Sequence, residues 1–196
     1  MQRSAEPLDF GIFLSVSLGL RLGEVLGLQW GDIDRRNKTV NIRRTVNRLS
    51  VIDGEKKKTE IVIGTPKTKS SKRSIPINDD FLKFFDVYAN KLHFRKALGD
   101  FLFIGSTYNK PCEPKTMQKR LKTILKELDI KGPTFHSLRH TFATRAIEKN
   151  VDIKTLSALL GHADVSITSD LYSHIIKEAD ERSAECIADA IFGKHA

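Results

Sequence analysis

Between residues 39 and 77 the apolar side chains change their period. Val40, Ile42 and Val46 alternate with Asn41, Arg43, Thr45 and Asn47, and alternation lines one face of an extended chain. Two further short runs, "EIVIG" and "RSIPI", follow before residue 78. On both sides of this stretch the apolar residues recur at helical spacing instead. The expected fold class is therefore α+β and mainly α-helical: a helical domain with a small antiparallel three-stranded sheet on one edge. With 196 residues, 40% of them hydrophobic, the chain is long enough to bury a sizeable core.

The first segment, "PLDFGIFLSVSLGLRLGEVLGLQWGDID", reads as helix, glycine break, helix. Leu8, Ile12, Leu14, Val16 and Leu18 form one inward stripe, and Leu22, Val25, Leu26 and Leu28 form another. Arg21 and Glu24 lie at the junction after Gly19. Residues 40–46 read as one strand, "EIVIG" as the second and "RSIPI" as the third, with the basic loop "TPKTKSSK" between the last two. Asn78 or Asp79 caps a helix that carries Phe81, Phe84, Phe85, Tyr88 and Leu92 on one face. Pro114 opens a helix with Met117, Leu121, Ile124, Leu125 and Leu128 inward. Thr134 caps the helix holding His136 and Arg139. Leu156, Leu159 and Leu160 belong to a helix that Gly161 ends. Ile167, Leu171 and Ile175 start the next around Tyr172, and residues 177–192 read as a last amphipathic helix.

The formal net charge is +9, which favours a polyanionic partner such as nucleic acid. Cys112 and Cys186 show no metal-like spacing and read as reduced, which points to a cytoplasmic location. No secretory signal opens the chain, and no apolar run approaches the length of a membrane span. His136 and His140 share a helix face, as zinc ligands do. Ser137 stands where a zinc-binding H-E-x-x-H helix has glutamate, however, and Arg139 between the two would repel a cation. No metal and no cofactor is expected. His136 and Arg139 also share a face, in the first turn of their helix, where free N–H groups and the helix dipole favour an anion. His140 and His174 read as structural or as residues that support the site from behind.

The motifs "GLRLGE", "PKTKSSKRSIPI", "HSLRH", "LLGH" and "LYSH" occur in that order. Together they resemble the catalytic domain of the tyrosine recombinases, the phage-integrase family, over residues 19–174. By that resemblance Arg21 is the first catalytic arginine and Glu24 its acidic companion. Lys67 is the hairpin lysine, with Lys69 as the alternative register. His136 and Arg139 are the H-x-x-R pair, His162 is the histidine of "LLGH", and Tyr172 is the nucleophile.

The resemblance implies metal- and ATP-independent cleavage and rejoining of double-stranded DNA at attachment or core sites, through a 3′-phosphotyrosyl enzyme. Tyr172 would attack with His136 as general base and Lys67 as general acid. Arg21, Arg139 and His162 would hold the phosphate, and Glu24 would orient Arg21 or His136. A phage or mobile-element integrase is the expected role. The implied partners are a homotetramer on DNA, formed from chains that can be monomeric in isolation, and accessory DNA-bending proteins. The catalytic domain would span residues 1–176. Residues 177–196 would be a tail, docking either on its own chain or on a neighbouring protomer. The N-terminal core-binding and arm-binding domains of the family are not seen in the sequence. The rival readings are a type IB topoisomerase, in which lysine tends to replace His136, a non-catalytic DNA-binding protein, and an RNA-binding helical domain.

Overall fold

The computed structural model describes residues 7–53, 56–65, 71–92, 97–105 and 110–193. The chain begins with α1 (Pro7–Leu18) and α2 (Leu22–Gly27), then a 3-10 turn at Trp30–Asp32. The extended region holds β1 (Ile33–Asp34), β2 (Thr39–Ile42), β3 (Thr45–Asp53), β4 (Lys56–Gly64) and β5 (Arg73–Pro76). The rest is helical: α3 (Asp79–Asn90), α4 (Pro114–Glu127), α5 (Phe135–Glu148), α6 (Ile153–Leu160) and α7 (Val165–Phe192). Among the described residues no helix is long and apolar enough to cross a membrane.

The extended region makes two sheets. One has three antiparallel strands in the order β1-β2-β5, with Val40 opposite both Ile33 and Ile75. The other is the hairpin β3-β4, with Val46 opposite Ile63. Three expectations change here. Residues 40–46 are two strands in different sheets, "EIVIG" pairs within the hairpin, and the third strand of the small sheet is Ile33–Asp34. The break falls at Arg43 and Arg44, and its cause is the buried Asp32 carboxylate. Arg44 Nη1 donates to Asp32 Oδ2 at 2.6 Å and to the Gly27 carbonyl at 3.2 Å, while Arg43 Nη1 lies 3.6 Å from Asp32 Oδ1. A buried carboxylate needs such partners, and meeting them turns the chain out of the first sheet.

Local signals explain where the helices start and stop. Asn78 caps α3 by accepting from the Phe81 N–H at 2.9 Å, Asp152 caps α6 by accepting from Thr155 N–H, and Asp164 caps α7 by accepting from Ser166 N–H. Pro114 occupies the first turn of α4, where its missing N–H costs nothing. Gly161 ends α6 in the left-handed region at φ 67°. Helix α7 is continuous through residues 165–192, so the expected separate last helix is the second half of the helix that carries Tyr172.

The main core gathers α1, α2, both sheets, α3 and α4 around Phe10, Leu14, Val25, Leu26, Val40, Phe85, Phe103 and Met117. A smaller core holds Ala143, Ile147, Leu156, Leu160 and Tyr172. Phe84, expected inside, is 59% exposed and stacks on Phe13 at 4.8 Å. Ile167 and Leu171 also face outward. Thr168 and Tyr172 take the buried face of α7 instead, because that face meets a polar site.

Candidate active site

The site lies where α2, α5, α6 and α7 converge. Arg21 precedes α2, so its guanidinium leaves the helix end. Glu24, one turn on and 4% exposed, receives Arg21 twice: the backbone N–H on Oε2 and Nη1 on Oε1, both at 3.0 Å. Arg73, at the start of β5, completes the carboxylate's bonding. Its Nη1 and Nη2 donate to Glu24 Oε1 and Oε2, each at 3.0 Å. Burial raises the Glu24 pKa, but the Arg73 hydrogen bond and charge, and then Arg21, outweigh it and hold the carboxyl below its ordinary value.

Arg139, in the second turn of α5, is 3% exposed. Nη1 donates to the Gly19 carbonyl at 2.7 Å, and Nη2 donates to the Leu160 carbonyl at 2.7 Å and to His162 Nε2 at 2.9 Å. Burial, then the Arg21 charge, push its guanidinium down to about 9, still charged at neutral pH. Of its five N–H donors, Nε–H and one on Nη1 have no hydrogen-bond partner among the described residues. Arg21 Nη1 also reaches the Leu160 carbonyl, at 3.4 Å. The C-terminus of α6, with its free carbonyls and negative dipole end, therefore draws the arginines together.

The hydrogen bonds of His162 fix its tautomer. Arginine cannot accept, so Nε2 accepts from Arg139, and Nδ1–H donates to Thr168 Oγ1 at 2.7 Å. Burial and then the Arg139, Arg21 and Arg73 charges lower His162 to about 4. It is neutral near pH 7, and in this state its Nε2 offers no proton to a ligand.

Tyr172 is 4% exposed, and its hydroxyl hydrogen-bonds His140 Nδ1 at 2.9 Å. Burial raises its pKa, opposed by the Arg139 charge. His140 and Tyr172 rings meet edge to face at 5.6 Å, and His136 meets His140 at 4.6 Å. Partial burial, then His140, Arg139 and Arg21, lower the His136 pKa. His136, Arg21 and Arg139 line a cleft of about 360 Å³ together with Gln118 of α4 and Thr134 at the N-terminus of α5.

The structure thus brings Arg21, Glu24, Arg139, His162 and Tyr172 together, with His136 beside Arg21 and Arg139 in the cleft. Lys67 and Lys69 lie outside the described residues. Three more residues take part in the site. His140, read as structural or as a supporting residue, holds the Tyr172 hydroxyl. Arg73 stands inside a quoted motif, "PKTKSSKRSIPI", with no function assigned to it. Thr168 was visible only as a helix residue, and its bond to His162 depends on how α7 packs. Among the described residues no group of three His, Cys, Asp or Glu side chains is placed to hold a metal ion.

These titrations predict how stability depends on pH. The unfolded His162 protonates near 6.5 and the folded one near 4. As pH falls through that window the unfolded chain binds more protons and stability falls. The depressed Glu24 carboxyl adds a loss in the same direction below its ordinary 4.5. Thermal melts between pH 8 and pH 4 are expected to show Tm declining below about pH 6.5, and His162→Gln is expected to flatten the upper part of that decline.

The sequence pattern of the phage integrase family matches residues 8–179, and the chain belongs to that family as a tyrosine recombinase catalytic domain. It is 30% identical over 186 residues to the "Tyrosine recombinase XerC-like" protein of Caldanaerobacter subterraneus subsp. tengcongensis, covering 90% of this chain and 48% of that protein. It is 28% identical over 195 residues to the ICEBs1 integrase of Bacillus subtilis, covering 95% of this chain and 50% of that one. The chain thus spans about half the length of these curated relatives. Among solved structures, the Tn1549 transposon integrase in complex with a circular intermediate DNA superposes with a TM-score of 0.74 at 22% identity, over 95% of this chain and 61% of that one. That likeness establishes the shared fold.

Proposed function

We propose that this domain cleaves and rejoins double-stranded DNA without metal or ATP, in the integration and excision of a phage or mobile element. The observation that carries the reading is Arg139. One buried guanidinium bonds the Gly19 turn, the α6 terminus and His162, adjoins the cleft of Arg21 and His136, and acts electrostatically on Tyr172. The named relatives support the role: an ICEBs1 integrase, the integrase of Staphylococcus phage L54a, and the transposase of transposon Tn916 from Enterococcus faecalis.

The scissile phosphate enters the cleft, and the two arginines neutralise its non-bridging oxygens. The Tyr172 oxygen attacks phosphorus, its proton passes to a histidine, and the 5′-oxygen of the DNA leaves with a proton from Lys67. The phosphotyrosyl bond retains the energy of the phosphodiester, so a 5′-hydroxyl reverses the step. His136 is the acceptor, because it lines the cleft beside both arginines and its depressed pKa keeps the imidazole unprotonated at neutral pH. His140 holds the hydroxyl before DNA binds. The phosphate charge offsets the arginines around His162, which lets its imidazole take a proton and donate. Protomers assemble as tetramers on DNA, and the second half of α7, with Ile187 exposed, docks on a neighbour.

The test is covalent trapping. The protein is incubated with nicked suicide substrates bearing the ends of its element, in the presence of a chelator, and resolved on a denaturing gel. A DNA–protein band is the expected result. Loss of that band with the chelator would overturn the metal-free mechanism.

A further inference from the structure

Glu24 holds Arg21 at the cleft, but the structure gives Glu24 a second and closer-fitting partner. Arg73 is 7% exposed and grips both carboxylate oxygens in a fork. Its Nε–H donates to the Leu159 carbonyl at 2.6 Å and Nη1 to the Ser71 carbonyl at 3.3 Å. The guanidinium also packs close against Gly161. A Cβ added there would stand 2.7 Å from Nη1 and 3.1 Å from Cζ of Arg73. Glycine at 161 therefore serves two needs, the left-handed backbone and the close approach of this arginine. His162 is the next residue.

We propose that Arg73 is a positioning residue for strand transfer, locking the Glu24 carboxylate and the Gly161 turn together so that Arg21 and His162 are presented to the phosphate. The proposal rests on the strand-transfer reading above. The reason is one of charge and geometry. A carboxylate with Arg21 as its only partner would form the full fork with it and neutralise it. Because Arg73 supplies that fork, Glu24 orients Arg21 through one guanidinium nitrogen and the backbone N–H, and the 40%-exposed Arg21 side chain keeps donors free for the DNA. Consecutive carbonyls of the α6 terminus divide the arginines: Leu159 takes Arg73, and Leu160 takes Arg139 and Arg21. Lysine in place of Arg73 keeps the charge but cannot fork, span to Leu159 and lie against Gly161 at once.

The experiment compares Arg73→Lys with the parent in single-turnover cleavage, each also in an Arg21→Lys background, and records the His162 ring nitrogens by NMR in the DNA-free chain. Arg73→Lys is expected to slow cleavage about 10²-fold, the loss typical of a small misplacement at a reacting centre, with DNA affinity unchanged. The added loss should be small once Arg21 is already lysine, because the two act through one geometry. The His162 resonances should move. Should Arg73→Lys fold poorly, Gly161→Ala displaces the same guanidinium from the other side, and the same Arg21-dependent loss is expected. Equal losses in both backgrounds, or parental rates with unmoved His162 signals, would overturn the positioning role. Should the strand-transfer reading itself be wrong, the parent would form no covalent adduct while the His162 signals still moved in the variant.

Discussion

The Tyr172→Phe variant is expected to bind DNA as the parent does and to form no covalent DNA adduct. Removing the hydroxyl removes the proposed nucleophile, so the loss should be complete. The fold should survive, because the ring stays in the small core with Ile147, Leu156 and Leu160. What is lost in stability is one part-buried hydrogen bond to His140, about 1 kcal/mol. The same assay separates the two histidines. A tyrosine with a pKa of about 10 is only ~0.1% ionised at neutral pH, and burial raises this one further, so a proton acceptor is needed. His136→Ala should slow cleavage by roughly 10²–10⁴-fold, the span of general-base catalysis. His140→Ala should release the hydroxyl and cost about tenfold or less, because in the proposed mechanism His140 holds the hydroxyl only before DNA binds. The reverse order would make His140 the base, and parental adduct from Tyr172→Phe would exclude Tyr172 as nucleophile.

Why the helices were legible and the sheet only partly so comes down to where the information resides. A helix start is a local event. Asn78, Pro114 and Gly161 each act on atoms within a few residues, and each stands where the pattern put it. The break at Arg43 and Arg44 is not local. Val40, Ile42 and Val46 stay in phase across it, so the alternation carries no trace of the turn. Its cause is Asp32, eleven and twelve residues earlier, whose burial only the tertiary fold creates. The outward Ile167 and Leu171 have the opposite origin. Apolarity suggested an inward stripe, but the inner face of α7 was already committed to Thr168 and Tyr172, one bonded to His162 and the other to His140.

The candidate site was legible where residue type alone restricts the chemistry. Arginines, a tyrosine and a histidine in an ordered set of motifs point to a phosphate. What the motifs could not convey was the resting hydrogen-bond network. The sequence reading gave His162 a donated bond to the phosphate, whereas in the structure its Nε2 accepts from Arg139. It paired Tyr172 with His136, whereas the hydroxyl lies on His140. Both differences describe a site whose polar groups are bonded internally while no anion is present. Three guanidiniums share Glu24 and two carbonyls of α6, an arrangement that keeps buried charge compensated. On the proposed function, binding a phosphate would exchange internal acceptors for external ones.

That exchange makes Arg139 the position where substitution should be felt most widely. Arg139→Lys retains one positive charge but only a single ammonium. It can reach one of the Gly19 carbonyl, the Leu160 carbonyl and His162 Nε2, which Arg139 serves together. The Leu160 carbonyl keeps Arg21, but the Gly19 carbonyl or His162 Nε2 is left without a donor in a buried region, at a cost of about 1–3 kcal/mol, so a clear fall in Tm is expected even without DNA. Cleavage should fall further than stability explains. A planar guanidinium holds two phosphate oxygens as charge develops on them, and the loss of one such donor costs about 10²–10³-fold in rate. Two measurements on the same variant separate these effects: a thermal melt, and single-turnover cleavage at a temperature where the variant is fully folded. The expected pattern is a lowered Tm together with a rate deficit that persists in the folded variant, and with His162 titrating higher because its Nε2 no longer faces a fixed guanidinium. Full cleavage by a folded Arg139→Lys would show that a point charge suffices, and the forked grip on the phosphate would have to be abandoned.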